Sequence, residues 1–263
     1  MGSDRAAPGS ARVMTRSSTG AGFLDEVQAT LRPSRESTHG PLPPLLLGLT
    51  VVTGLVDAFS YLLLGHVFVA NMTGNVVFLG FAIAGASGFS IPASLVALGA
   101  FVLGALLGGK AGSELGRHRG HLLTATTSFQ VLLLGASVVV AAASGDPVTG
   151  VYQYAAIVVL GVSMGIQNAT ARRLAVPDLT TTVLTLTITG VAADSVIAGG
   201  AGLAAGRRLL AVAAMFVGAL AGAALALHVH VVAPLVIALV VTAVVALVSW
   251  RAGADDPSWV RPG

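Results

Sequence analysis

The chain has 263 residues, of which 55 % are apolar and only 10 % are charged, and it contains no cysteine. A soluble domain carries about 25 % charged residues, so this composition excludes a water-soluble globule and predicts an integral membrane protein. The missing cysteines exclude disulfides and thiol chemistry, and because nearly all charges lie outside the apolar stretches, the net charge of +3 does not indicate nucleic-acid binding.

The chain begins with a polar tail at residues 1–44, which is rich in Gly, Ser, Pro and Thr. It lacks the pattern of a cleaved signal peptide, and we predict that it is disordered and cytoplasmic. Apolar residues at helical spacing between 23 and 31 also fit a short helix on the membrane surface. Residues 251–263 form a second short tail, which we also place in the cytoplasm.

Between the tails, residues 45–250 form a single transmembrane domain of eight apolar segments. A helix needs about 20 apolar residues to span the bilayer. The segments cover residues 45–64, 68–87, 92–112, 121–143, 150–169, 180–199, 209–228 and 231–249.

The basic residues favour one of two layouts. Eight full crossings with the first tail in the cytoplasm would place the basic residues of 110–119 and 172–173 outside, against the positive-inside rule. If the second and sixth segments are broken or re-entrant helices, six crossings remain and all 14 Lys and Arg residues are cytoplasmic. We therefore predict an all-α membrane bundle of six crossings plus two broken or re-entrant segments, with eight helices as the alternative.

An internal repeat supports the same division of the chain. Six crossings require that the two halves, residues 45–143 and 150–249, are inverted relative to each other, whereas eight crossings would make them parallel. The repeat pairs residues 54–58 with 165–169, Thr73 with Thr185, and residues 104–108 with 218–222.

Four motifs carry a resemblance to a known family. Residues 54–62 read Gly-Leu-Val-Asp-Ala-Phe-Ser-Tyr-Leu, and residues 71–75 read Asn-Met-Thr-Gly-Asn. In the second half, residues 164–169 read Met-Gly-Ile-Gln-Asn-Ala and residues 181–185 read Thr-Thr-Val-Leu-Thr. These motifs resemble the YoaK family of bacterial multi-pass membrane proteins of unassigned function. The resemblance covers residues 40–250 and implies a bacterial plasma-membrane protein of about six crossings, without indicating a substrate.

Asp57 is the first candidate functional residue, since it lies within the first apolar segment. An ionised carboxylate there costs at least about 2.5–3.5 kcal/mol, so we expect it to face protein or water. Thr53, Ser60 and Tyr61 share its helical face and could donate hydroxyl hydrogen bonds. Asp57 is either a proton or cation site, or a structural carboxylate that ties helices together.

Asn71, Thr73 and Asn75 form a dense uncharged polar cluster around Gly74. Such a cluster can satisfy an unwound backbone or present amides and hydroxyls to a solute, and glycine permits the sharp turn of a broken helix. The alternative is a set of hydrogen bonds between packed helices.

The second half offers a weaker counterpart of this cluster. Thr185 stands in a run of threonines, and Gln167 and Asn168 replace the acid of the first half. A central site shared by the two halves would therefore be asymmetric, with one carboxylate opposed by amides.

No enzyme motif, nucleotide-binding loop or metal-ligand set occurs in the sequence. We therefore expect no enzyme activity, cofactor or metal. The predicted function is a secondary transporter or exporter of a small polar solute, coupled to a proton or cation, with a non-transporting scaffold or regulator as the alternative. The expected partners are the lipid bilayer and the solute, not nucleic acid, and the sequence leaves open a homo-oligomer.

Overall fold

The computed structural model describes residues 22–33, 37–182, 184–194, 198, 205–254 and 258–261. These residues form nine α-helices and one short 3₁₀ turn, without any strand in the described part of the chain. The helices are α1 (Phe23–Leu31), α2 (Leu42–Leu63), α3 (Met72–Ile83), α4 (Ile91–Leu115), α5 (Arg119–Ser144), α6 (Gly150–Leu174), α7 (Leu184–Ala193), α8 (Ala205–His228) and α9 (Ala233–Gly253).

Six of these helices are long and apolar enough to cross a membrane: α2, α4, α5, α6, α8 and α9. The helices α3 and α7 have only 12 and 10 residues. At 1.5 Å per residue they are about 18 Å and 15 Å long, well short of a hydrocarbon core about 30 Å thick. The described chain is therefore an all-α bundle of six crossings with two short helices, as predicted, and not a set of eight full crossings.

The Lys and Arg residues of the described helices and loops lie at one end of the bundle, and each end is marked by a hydrogen bond between distant parts of the chain. At one end, called the basic end, Arg119 donates from Nη1 to the carbonyl oxygen of Thr38 at 3.5 Å. At the other, called the opposite end, Gln153 donates from Nε2 to the carbonyl oxygen of Leu64 at 2.8 Å. The basic end carries Lys110, Arg117, Arg119, Arg172, Arg173, Arg207, Arg208 and Arg251.

The segment between α2 and α4 enters and leaves the bundle at the opposite end. His66 Nδ1 lies 3.0 Å from the carbonyl oxygen of Gly88, so the descending and returning arms meet there. Between these two arms, Val69 contacts Asp57, which lies nearly two turns before the end of α2. The helix α3 then leads the chain back to the opposite end. The second apolar segment is thus re-entrant, and its helix is shorter than the predicted 68–87.

The segment between α6 and α8 enters and leaves the bundle at the basic end. Arg208, near the start of α8, donates from Nε to Asp178 at 2.9 Å and from Nη1 to Asp194 at 2.6 Å. These carboxylates lie on the two arms that flank α7, so one arginine holds both arms at the basic end. Residues 195–197 and 199–204 of this segment lie outside the described residues.

The first helix, α1, forms inside the predicted tail. The carboxylate of Glu26 accepts a hydrogen bond from the backbone N–H of Gly206 at 3.0 Å and so caps the start of α8. Phe23 and Leu24 on α1 are exposed, as expected of a helix at a membrane surface. The predicted disorder of residues 1–21 and 34–36 lies outside the described residues.

Two close helix crossings hold the bundle together: α2 packs on α8 and α4 packs on α6. A Cβ atom on Gly54 would come within 2.6 Å of the backbone N of Ala219, and one on Gly165 within 2.7 Å of the backbone N of Ala105. The internal repeat predicted from the sequence would pair these two glycines with each other, and likewise the two alanines. Both crossings depend on glycine for direct backbone contact.

Replacing Gly54 with alanine should destabilise the protein by about 1–3 kcal/mol, because the new methyl group overlaps the α8 backbone. Gly99→Ala is the matched control, since Gly99 has no atom within 4 Å of a Cβ position and alanine favours the helix. Thermal unfolding in detergent measures both. Equal melting temperatures for the two variants would contradict the tight crossing.

Candidate functional site

The carboxylate of Asp57 binds the backbone of the first re-entrant segment. Oδ1 accepts hydrogen bonds from the N–H groups of Val69 at 3.1 Å and Ala70 at 2.9 Å, and Oδ2 accepts one from the side-chain amide of Asn71. Asp57 is only 4 % exposed. The acid therefore supplies acceptors to unwound backbone that has no partner of its own inside a membrane.

Asn75 completes the same support from the other side. Its Oδ1 accepts from the N–H of Phe68 at 2.8 Å, and its Nδ2 donates to the carbonyl oxygen of Phe68 at 2.5 Å. Asn75 is fully buried, so its amide pairs with backbone and does not face a cavity. A Cβ atom on Gly74 would come within 2.6 Å of the Phe68 ring. Only glycine, which has no side chain, leaves enough space for that ring.

The hydroxyl groups near Asp57 make other hydrogen bonds. Ser60 Oγ donates to the backbone carbonyl of Asp57 at 3.2 Å, and Thr53 Oγ1 donates to the carbonyl of Leu49 at 3.0 Å. The Tyr61 ring stacks on Phe68 with centroids 5.0 Å apart. The donors to the Asp57 carboxylate are backbone N–H groups and Asn71, rather than the hydroxyls that helical spacing predicts.

Asn168, which the predicted repeat would pair with Asp57, also binds the segment that follows its own helix. Its Oδ1 accepts from the hydroxyl of Thr182 at 2.5 Å, and its Nδ2 donates to the carbonyl of Met164 at 2.9 Å. The two partners are 14 residues apart, as Asp57 and Asn71 are. Each contact thus joins a long helix to the segment that follows it, one through a carboxylate and the other through an amide.

Gln167 serves a different purpose from its neighbour Asn168. Its Nε2 donates to Thr53 Oγ1 at 2.8 Å and to the carbonyl of Leu49 at 3.2 Å, and its Oε1 accepts from Gln130 Nε2 at 2.7 Å. Gln167 therefore ties α6 to α2 and α5 with all of its hydrogen-bonding groups engaged. Gln130 was not among the expected site residues, although an amide side chain within an otherwise apolar span is a signal in the sequence.

A cavity of about 490 Å³ lies between the starts of the two short helices. Thr73 and Thr185 are exposed to it, one from each half. Of the expected site residues, Asp57, Ser60, Gly74, Asn75 and Gln167 do not line this cavity. The polar residues that line it are Asn71, Thr73, Asn168, Thr182 and Thr185, and the apolar ones are Phe68, Ala70, Met72, Phe101, Leu184 and Met215.

A larger cavity of about 930 Å³ adjoins the first, with Phe101, Asn168 and Thr182 in both walls. It extends along the last turns of α6 to Arg172 and Arg173 at the basic end. Toward the opposite end, aromatic rings pack on one another beside the first cavity, with neighbouring centroids 5.0–6.3 Å apart. We call this group the aromatic cluster; its residues are Tyr61, His66, Phe68, Phe78, Phe81 and Phe89.

Histidines and acids do not gather into a metal site in the described residues, where no group of three such side chains could hold an ion. His228 and His230 border a separate cavity of about 370 Å³ at the opposite end, together with Asp146. We call the cavity of about 490 Å³ between the two short helices the central cavity. The chemistry available there is hydrogen bonding by amides, hydroxyls and helix N-termini.

Replacing Asp57 with alanine should destabilise the protein by about 1–3 kcal/mol for each donor left without a partner, because Val69, Ala70 and Asn71 lose their acceptor. Asp57→Asn should cost less, since an amide oxygen still accepts from the two N–H groups. Thermal unfolding in detergent compares the two variants. Equal stability of Asp57→Ala and the parent would mean that the carboxylate does not support this segment.

Comparison with known proteins agrees with the motifs. A family model described as a protein of unknown function (DUF1275) matches residues 45–248. The UPF0700 transmembrane protein YoaK of Bacillus subtilis (strain 168) is 34 % identical over 150 residues, which are 57 % of this chain and 65 % of that protein, somewhat less than two thirds of its length. No solved structure matches the chain significantly. The resemblance to the YoaK family is thus confirmed, and the chain belongs to DUF1275, a family whose function is unknown.

Proposed function

We propose that the chain is a secondary transporter of a small polar solute, which binds in the cavity between the two short helices. The observation that carries this proposal is the place of that cavity: the first turns of α3 and α7, which enter from opposite ends, both line it. Discontinuous helices that meet at a polar cavity are typical of secondary transporters.

An alternating-access mechanism follows from the difference between the two ends. The central cavity and the larger one beside it extend toward the basic end, while the aromatic cluster packs beside the central cavity toward the opposite end. In this mechanism the structure is the state open at the basic end. Opening the other way requires that the segment of residues 64–71 moves off α2 and that the segment of residues 175–182 closes.

An inverted repeat would make these two motions equivalent. The support is the matching crossings of α2 on α8 and α4 on α6, together with the matching contacts Asp57–Asn71 and Asn168–Thr182. In each half the two arms of the re-entrant segment also meet at one end of the bundle. Each half can then adopt the arrangement that the other has now.

Asp57 is the group through which a proton would drive this exchange. A protonated carboxyl gains an O–H donor and is a weaker acceptor, so it binds the N–H groups of Val69 and Ala70 less strongly. Protonation would therefore loosen the segment that closes the opposite end. In this proposal the membrane is the bacterial plasma membrane, and the basic end and both termini face the cytoplasm.

The alternative is a membrane scaffold or regulator that transports nothing. It is favoured by the complete hydrogen bonding of Asp57, Asn75 and Gln167, which stabilises the bundle without a solute. A scaffold of this kind would keep its central cavity closed to reagents from both sides.

Uptake tests the proposal directly. Proteoliposomes with the purified chain should accumulate at least one radiolabelled polar solute from a panel when a proton gradient is imposed. Asp57→Asn should fold and abolish proton-driven accumulation, because the amide accepts the backbone hydrogen bonds but does not titrate. Arg117→Gln, an exposed change outside both cavities, is the control. Failure to accumulate any solute of a broad panel would favour the scaffold.

Cysteine labelling tests access to the cavities, and the chain has no native cysteine to interfere. A membrane-impermeant maleimide should label Thr73→Cys and Thr180→Cys from the basic end only, since both residues are exposed to the cavities. Ser113→Cys and Asp146→Cys are exposed at the basic and opposite ends and mark the two sides. Labelling of Ser113→Cys from outside intact cells would overturn the orientation, and no labelling of Thr73→Cys from either side would overturn the open cavity.

A further inference from the structure

The walls of the two cavities carry charge of one sign. Arg172 and Arg173 line the larger cavity, and among the described lining residues there is no Asp or Glu. In the described part of the chain no carboxylate lies within ion-pair distance of either arginine. Arg208 at the same end differs, because it is bound to Asp178 and Asp194.

The fold fixes where these two arginines lie. Arg172 follows Asn168 by one helical turn, so it extends the same face of α6 from the central cavity toward the basic end. Arg173 lies along α4, where Gly112 and Gly116 leave room for its side chain. A Cβ atom on Gly112 would come within 3.2 Å of its Cγ, and one on Gly116 within 2.8 Å of its Nε.

The inner cavity continues this electrostatic preference. The helices α3 and α7 begin at its wall, and a helix N-terminus carries partial positive charge and free N–H groups. Asp57 does not line the cavity, and its carboxylate lies behind the wall, where it binds the N–H groups of Val69 and Ala70 and the amide of Asn71. A solute that moves from the basic end to the central cavity therefore meets cations and hydrogen-bond donors.

We propose that the solute carries an anionic group, a carboxylate or a phosphate, which Arg172 and Arg173 attract and which Thr73 and Thr185 then bind in the central cavity. This inference rests on the proposed transport function, because it takes the bound anion to be the transported solute. The anion site itself can be tested without transport. Two sources share this chemistry: a free anion from the aqueous phase, or the headgroup of an anionic phospholipid at the basic end.

Thermal unfolding of the purified full-length chain in detergent tests the site. The probes are sodium acetate, sodium succinate and sodium phosphate, with acetamide and succinamide as neutral counterparts and sodium chloride to match ionic strength. At least one of the three anions should raise the melting temperature in a saturable way, and the amides should not. Arg172→Gln and Arg173→Gln should each weaken the apparent affinity about tenfold, as expected for loss of one charge-assisted contact.

Arg117→Gln is the matched control, since it removes a positive charge from the basic end but lies outside both cavities. An equal loss of affinity in this control would overturn the proposal in favour of a general surface-charge effect. Stabilisation by the amides as strong as by the anions would overturn it as well. Thr185→Val should weaken anion binding without lowering the melting temperature of the free protein, because its side chain is exposed to the cavity.

Vesicles distinguish the two sources of the anion. If phosphatidylglycerol vesicles, but not phosphatidylcholine vesicles, raise the melting temperature and Arg172→Gln abolishes this effect, the anion is a lipid headgroup. If soluble anions raise the melting temperature in phosphatidylcholine vesicles, the anion is a free solute. No protection by either source overturns the site. Anion binding without uptake would overturn the transport function but not the anion site. Uptake of a neutral solute by Arg172→Gln at the parent rate would overturn the anion site but not the transport function.

Discussion

The rest of the structure depends on one constraint: backbone that leaves a helix inside a membrane must find hydrogen bonds within the protein. The extended residues Phe68, Val69 and Ala70 find them on Asn75 and Asp57. A carboxylate suits this role because it only accepts hydrogen bonds and accepts several at once. The acid in the first apolar segment is thus explained by the broken helix that it supports.

The two halves meet this constraint with different strength. Hydrogen bonds to a charged group are roughly twice as strong as neutral ones, so Asp57 holds the first re-entrant segment more firmly than Asn168 holds the second. The aromatic cluster adds packing only to the first segment. The first re-entrant segment therefore has more support from the protein around it than the second.

Much of the fold could be predicted because hydropathy and charge act locally. The side on which each basic cluster lies favoured six crossings over eight, and the predicted segment of 150–169 falls within the observed α6. The site was harder to predict. Asn75 and Gln167 were expected to face a solute, yet each is enclosed by protein partners. Residue type gave their polarity but not their direction, because a helix presents polar groups to a cavity and to a neighbour with the same spacing.

The sequence by itself determined the membrane environment and the set of polar residues available inside the bundle, since these follow from composition along short stretches of chain. Only the tertiary structure decided which of these residues bind backbone and which line a cavity. The reason is that hydrogen-bond partners come from distant parts of the chain: Gln167 meets Thr53 at 114 residues' separation and Gln130 at 37. Such pairings depend on how helices cross, and the crossings depend on contacts that no local pattern records.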